Sequence, residues 1–291
     1  MSKTKKIILA FSRMERCLIH KNMKKQIIVK NEKDKVLQIT TTDERWYAFE
    51  SEDPKTKLPI FNFVPSVTWI CESYPKGIGF YKWLADKGWD EAEAIKAAAG
   101  DKGSKVHKAI ETLLNGDPVK MEDKFVNPTT EQLEELTAEE YEALCSFADW
   151  FNSVKPEILA TEITVVNKEQ NYAGTVDFVA RIDGKVWLID FKTSQNVWPS
   201  YELQVSAYKH ALKDKKVDGL AILQIGYKRN KNGWKWNEVE DKFDLFLAAQ
   251  KIWANDHGTE KPSQKDLPIQ LLLELPKEEE KAAKTKKSHA N

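Results

Sequence analysis

Asp183-Gly184 stands between two β-rich runs, residues 175–182 and 185–191. An Asp-Gly pair in that setting is the strongest short-range signal for a two-residue type I′ turn. The turn sets the register, because opposed residues then sum to a constant. Ile182 faces Lys185, Arg181 faces Val186, Val179 faces Leu188 and Asp177 faces Asp190. Lys192, two residues past Asp190, points to the same face as the two acids. Directly opposed Cβ atoms lie about 5 Å apart, where like charges repel. A hard divalent cation offsets that repulsion, since Mg²⁺ is held by one or two carboxylates with phosphate and water oxygens. A proton shared by the two acids is the alternative, disfavoured by the lysine alongside. Plain solvated charge is the other reading. Against it, Val179, Leu188 and Val186 share the charged face, and Phe178, Ala180, Ile182, Trp187, Ile189 and Phe191 fill the opposite one. Apolar residues on both faces point to central strands covered on both sides, with the charges gathered at one end beside Thr193 and Ser194.

The ordered set Gly174-x-x-Asp177, Asp190-x-Lys192-Thr193 and Gln204-x-x-x-Tyr208 resembles the PD-(D/E)XK nuclease superfamily. The Gln-x-x-x-Tyr addition is specific to its RecB-like branch. Upstream, Gly103-x-x-x-His107 is similar to that branch's metal-binding histidine, and Pro65-Ser66-Val67-Thr68 to a segment of its mitochondrial and phage exonucleases. The similarity covers about residues 60–230. The resemblance implies an α/β, restriction-endonuclease-like fold, with a mixed central sheet flanked by helices. It implies a metal-dependent DNA exonuclease of phage-type recombination, repair or replication, with Asp177, Asp190 and Lys192 as catalytic residues. Mg²⁺ or Mn²⁺ would be held by His107, Asp177, Asp190 and the backbone carbonyl of Phe191. Glu111, four residues after His107, would be a further ligand, would orient the histidine, or would be a surface residue. Gln204, Tyr208, Ser66, Thr68 and Thr193 would bind substrate. Glu162 occupies a position where relatives often carry an acid, though an edge-strand surface charge accounts for it equally. The implied partners are DNA and a single-strand-binding or annealing recombination protein. A structure-specific or restriction-like endonuclease with the same chemistry is the alternative. A catalytically silent DNA-binding protein is a second, disfavoured by the presence of all three catalytic residues.

Lysine plus arginine and aspartate plus glutamate each number 45, a formal net charge of zero. The average hides a basic stretch over the first 36 residues and acids near 131–142 and 278–280. Local fields steer polyanions, so neutrality does not exclude nucleic acid. Cys17, Cys71 and Cys145 form no metal-ligand pattern and suggest a reducing compartment. RecB-like proteins with an iron–sulfur cluster carry three cysteines after the Gln-x-x-x-Tyr helix. None follows Cys145, so no cluster is expected. No apolar run approaches the ~20 residues of a membrane span, and residues 7–11 are too short for a signal core. A cytoplasmic protein is expected, in the host cytoplasm if phage-encoded.

Three regions are expected: a basic extension with accessory strands (1–60), a nuclease domain (61–260) and a mostly disordered C-terminal segment (261–291). Short strands are expected near 26–29, 36–39 and 46–49, and a helix over 67–73 capped by Ser66. Further helices are expected over 80–87, 91–99 and 104–114, the second ending at Gly100. A polar loop should occupy 117–135. Thr137-x-x-Glu140 is a capping box opening a helix to 154. Strands near 158–166 and 218–228 should join the hairpin, with a helix over 201–212 making a parallel crossover. Trp234 and Trp236 beside basic residues 228–235 could stack on single-stranded nucleic acid, but a hairpin with packed tryptophans is the favoured reading. A helix is expected over 237–256 and an apolar segment over 268–275.

Overall fold

A computed structural model describes residues 36–40, 44–213 and 216–258. The Asp183-Gly184 turn forms as expected. Both residues have positive φ, 49° and 77°, the signature of a type I′ turn. It joins β7 (Tyr172–Ile182) to β8 (Lys185–Lys192), in the register Ile182↔Lys185, Arg181↔Val186 and Val179↔Leu188.

This hairpin is the centre of a five-stranded sheet. With β6 (Glu157–Asn167), β9 (Gly219–Ile225) and β10 (Trp234–Val239), the strand order is β10-β9-β8-β7-β6. β8 and β9 are parallel, joined through α5 (Pro199–Ala211), and the other pairs are antiparallel. The sheet is mixed, as expected of the fold class. Phe178, Ala180, Ile189 and Phe191 pack with Val106, Ala109 and Ile110 of α3 (Trp89–Leu114) and with Leu144, Phe147 and Trp150 of α4 (Ala138–Val154). Val179 and Leu188, of the other parity, are also fully buried. Both faces of the hairpin are therefore covered, the condition for central strands.

A second sheet, β1-β2-β3, comprises Val36–Thr40, Arg45–Glu52 and Pro59–Pro65. Its Val36, Tyr47, Phe49 and Val64 bury against Ala173 of β7. The expected domain boundary at residue 60 falls inside β3. α1 (Val67–Glu72) follows, capped by Ser66 as expected, and then α2 (Ile78–Lys87).

Three expectations are corrected. The helices expected over 91–99 and 104–114 are one 26-residue helix, α3, running through Gly100 and Gly103. An interior glycine costs a helix about 1 kcal/mol, which the buried stripe through Val106, Ala109 and Ile110 outweighs. The polar loop over 117–135 contains a small hairpin, β4 (Lys124–Val126) with β5 (Leu133–Glu135). The helix expected from 237 begins at Phe243 as α6 (Phe243–His257), because 237–239 complete β10 opposite β9. The expected strand at 26–29 and segment at 268–275 lie outside the described residues.

The capping box forms: Thr137 Oγ1 accepts the Glu140 N–H, and Glu140 Oε2 accepts the Thr137 N–H at 2.8 Å. Glu140 also faces Lys105 Nζ of α3 at 3.0 Å, and both side chains are about 5% exposed or less. A buried lysine is tolerated when paired in this way. The described residues fall within one compact unit, Lys25–Pro262.

Candidate active site

Asp177 leaves the regular ladder. The last β7–β8 pair is Phe178↔Ile189, one step short of the expected Asp177–Asp190 pair. Asp177 Oδ2 accepts the Phe191 backbone N–H at 2.8 Å instead. Its Oδ1 lies 3.5 Å from His107 Nδ1 on α3, and His107 Nε2 lies 2.9 Å from the Phe191 carbonyl oxygen. Both ring nitrogens thus face acceptors, which suits an imidazolium. Burial pushes its pKa down, but the Asp177 carboxylate outweighs burial and carries it up to about 9. Burial raises Asp177, yet His107, Lys192 and the Phe191 N–H together hold it below the usual carboxylate range.

Asp190 is fully buried. Lys192 Nζ, 2.6 Å from Oδ2, forms an ion pair with it, which leaves Oδ1 as the oxygen with no partner. Burial and nearby Asp177 push the acid up to about 6 against the pull of Lys192. A buried oxygen left without a partner, as Oδ1 is, calls for an explanation such as a bound ion or an ordered water.

Lys192 is held from α5. Its Nζ donates to Gln204 Oε1 at 3.2 Å and sits 4.7 Å from the centre of the Tyr201 ring. Burial pulls its pKa down, but Asp190 and Asp177 win and raise it. Gln204 Nε2 donates to Tyr208 Oη at 2.9 Å, and both residues are buried. The expected substrate-binding pair is therefore committed to the lysine. The Tyr208 ring lies over Gly174. A Cβ there would sit 2.4 Å from Tyr208 Cε1, so the first residue of Gly-x-x-Asp has to be glycine.

Ser66 is also committed, accepting the Trp69 N–H at 3.1 Å and the Thr68 hydroxyl at 3.3 Å. Thr68 and Thr193 are half-buried. A Cβ on Gly103 would reach only ordinary contact with Thr193 Oγ1, so sterics do not demand that glycine. Glu111 takes Lys108 Nζ at 2.6 Å and is not part of the ligand cluster.

Glu162 is. A carboxylate oxygen of Glu162, an oxygen of Asp177 and a nitrogen of His107 all lie within 4.8 Å of one another. Glu162 sits in β6 with φ 47°, between Thr161↔Phe178 and Ile163↔Val176. A non-glycine residue in that region costs about 1–3 kcal/mol and is held by its surroundings. The kink turns an edge-strand position toward Asp177, and period-two reading of the strand does not reveal it.

The model for the PD-(D/E)XK nuclease superfamily matches residues 80–286. The chain belongs to that superfamily. Mitochondrial genome maintenance exonuclease 1 of Mus musculus is 28% identical over 173 residues, 54% of this chain and 46% of that protein. The chain thus spans about half the length of that relative. The crystal structure of an alkaline exonuclease (LHK-Exo) from Laribacter hongkongensis aligns with a TM-score of 0.34 at 9% identity, covering 65% of this chain and 84% of that one.

PD-(D/E)XK nucleases use divalent metals, and the donor set fits one. Carboxylates, an imidazole and a backbone carbonyl suit a divalent ion of hard to borderline character. Asp190 Oδ1 has no partner among the described residues, and Oδ2 has only the Lys192 ammonium. His107, Asp177 and Glu162 are the residues whose donor atoms come close enough together to share one ion. No helix among the described residues is long and apolar enough to cross a membrane.

Proposed function

We propose that this nuclease is a divalent-metal-dependent DNA exonuclease, with Mg²⁺ or Mn²⁺ held by His107, Asp177, Asp190, Glu162 and the Phe191 carbonyl. The observation that carries the reading is Asp190: fully buried, with Oδ1 lacking any partner and Oδ2 held only by the lysine of its own motif at 2.6 Å.

Phosphodiester hydrolysis needs a nucleophile stronger than water and relief of charge on the phosphoryl oxygens. A bound divalent ion supplies both, by lowering the pKa of water and polarising the phosphate. The chain's residues do the rest. His107 would hold the ion through a ring nitrogen freed of its proton, and Asp177 accepts from the N–H of Phe191, whose carbonyl faces the same ring. Lys192 stays cationic and presents its ammonium to the attacking water or to the oxygens that gain charge. Gln204 and Tyr208 act through Lys192 as positioning residues, and Tyr201 packs under its charge. Thr68 and Thr193, both half-buried, are left to meet the DNA backbone. A role in recombination, repair or replication, beside a single-strand-binding or annealing protein, rests on the motif resemblance.

The test uses linear DNA labelled at either end beside a closed circle, with Mg²⁺, Mn²⁺ or EDTA. Loss of linear DNA with an intact circle is expected, and the label released first gives polarity. Cutting of the circle would make it an endonuclease. DNA binding without cleavage under any metal would sink the enzymatic reading.

A further inference from the structure

β8 and β9 run parallel, so β9 ends at the same edge of the sheet as Asp190 and Lys192. There the chain turns back through residues 226–233 into β10. Lys192, Gln224 and Lys235 are directly opposed across β8, β9 and β10, so their side chains leave the same face of the sheet. Two strand spacings set Lys235 about 10 Å from Lys192 along that row.

The turn is fastened to the loop that follows Lys192. Gln224, which is buried, donates from Nε2 to the Ser194 carbonyl at 2.8 Å. Gln195 Nε2 donates to the Gly226 carbonyl at 2.8 Å, and its Oε1 accepts the Lys228 N–H at 2.9 Å. Arg229 Nη2 donates to Asn196 Oδ1 at 3.0 Å. The turn is also seated on α4, where the Gly226 N–H donates to Ser146 Oγ at 2.9 Å.

Residues 219–237 contain Lys228, Arg229, Lys231 and Lys235 and no acid. Lys228 is already paired. Its Nζ meets Glu139 Oε1 at 2.7 Å, and Glu139 Oε2 takes Lys102 of α3 at 2.9 Å. The other three cations are exposed, and none has a carboxylate partner among the described residues. Lys235 Nζ instead lies 5.7 Å from the centre of the Tyr227 ring.

We infer that Arg229, Lys231 and Lys235 hold the phosphodiester backbone of the nucleic-acid strand that flanks the bond being cut. The inference rests on the nuclease reading, which places the reacting phosphate at Lys192. A loose run of cations would be solvated charge. Here the hydrogen bonds fix the turn before the strand arrives, which lowers the ordering cost of binding. Phosphates neutralised by these cations release their counterions, and that release drives association. Backbone contacts set position without reading sequence, so the surface would serve a strand of any sequence.

The experiment measures anisotropy of fluorescein-labelled oligothymidine and of a labelled blunt duplex, each with the full chain in EDTA over a series of salt concentrations. The double variant Arg229→Gln, Lys235→Gln is expected to bind about tenfold more weakly or worse at 0.1 M salt. Its plot of log affinity against log salt should lose about 0.7 in slope per contact on the single strand, or about 0.9 on the duplex. The control Lys185→Gln, Lys216→Gln removes the same charge at the opposite end of β8 and β9, and should bind and cleave as the wild type does. A fall confined to one probe keeps the surface and names the strand form it takes. Unchanged affinity and slope in the first variant would overturn the inference. So would an equal fall in the control, or no DNA binding by the wild type. Cleavage with Mg²⁺ or Mn²⁺ is scored separately. Wild type that binds, loses slope in the variant and never cleaves keeps this surface and removes the nuclease reading. Wild type that cleaves, with no change of slope in the variant, does the reverse.

Discussion

Toward the Asp177 end of the β7–β8 hairpin, side chains are charged, buried and incompletely hydrogen-bonded. Toward the Asp183 end they are aromatic, half-exposed and packed ring against ring. The same two strands serve both. The turn end fixes register through backbone geometry and indole packing, which stabilise. The acid end carries a buried carboxylate with one oxygen unpartnered, a buried lysine and a left-handed glutamate, each of which costs stability. Sites that need poised charge are held in place by neighbours that do not.

The largest expected effect tests the acid end. Asp190→Asn and Lys192→Ala should each cut DNA cleavage by about three orders of magnitude or more, the upper scale for loss of one charge-stabilising group. Far-ultraviolet circular dichroism should stay native. Retained metal-dependent cleavage in either variant would remove the functional half of the contrast. At the turn end, Trp150→Ala should cost about 3–5 kcal/mol in urea unfolding, with cleavage per folded molecule kept within a few fold. A collapse of the specific rate would show that the two ends are not separable.

Smaller effects sharpen the comparison. Mg²⁺ or Mn²⁺ at about a hundred times its Kd should stabilise the wild type by roughly 2.7 kcal/mol, and Asp177→Asn should lose most of that gain in thermal melts. Gly174→Ala should cost about 1–3 kcal/mol through overlap with Tyr208. Gly174→Ala with Tyr208→Leu should be less destabilised than the sum of the single changes. Additivity would mean the ring does not rest on that glycine.

The smallest effect is on pH. The folded His107 pKa, about 9, is raised above the reference 6.5. Its contribution is therefore fully present below pH 6.5 and lost as pH rises through 9. Melts in EDTA should fall over that window, and His107→Gln should flatten the decline. The ring is 26% exposed, so solvent screening keeps the change modest. Asp190, raised from 3.8 to about 6, adds a decline of the same sign at lower pH. Metal should bind more tightly as pH rises toward 9, because His107 must shed a proton to become a ligand.

What was legible in the sequence follows from what local chemistry dictates. Asp183-Gly184 fixed a register that placed both acids and Lys192 together, and Thr137-x-x-Glu140 marked a helix start. The length of α3 was hidden because glycine at 100 and 103 reads as punctuation, while burial three residues later overrides it. Glu162 was seen as an acid without a direction, since its positive φ comes from tertiary constraint. Gln204 and Tyr208 were legible as a motif. That they brace Lys192 depends on how α5 docks, which i, i+4 spacing does not contain.

Glu140 has a consequence for how the protein opens. One carboxylate closes the cap of α4 and grips Lys105, two residues before His107. The start of one helix is thereby tied to the turn of another that carries the histidine. In native-state hydrogen exchange, amides of the first turn of α4 and those around 105–110 should open together. Loosening this buried cap, some distance along the chain, would then loosen His107 without touching any residue in the site.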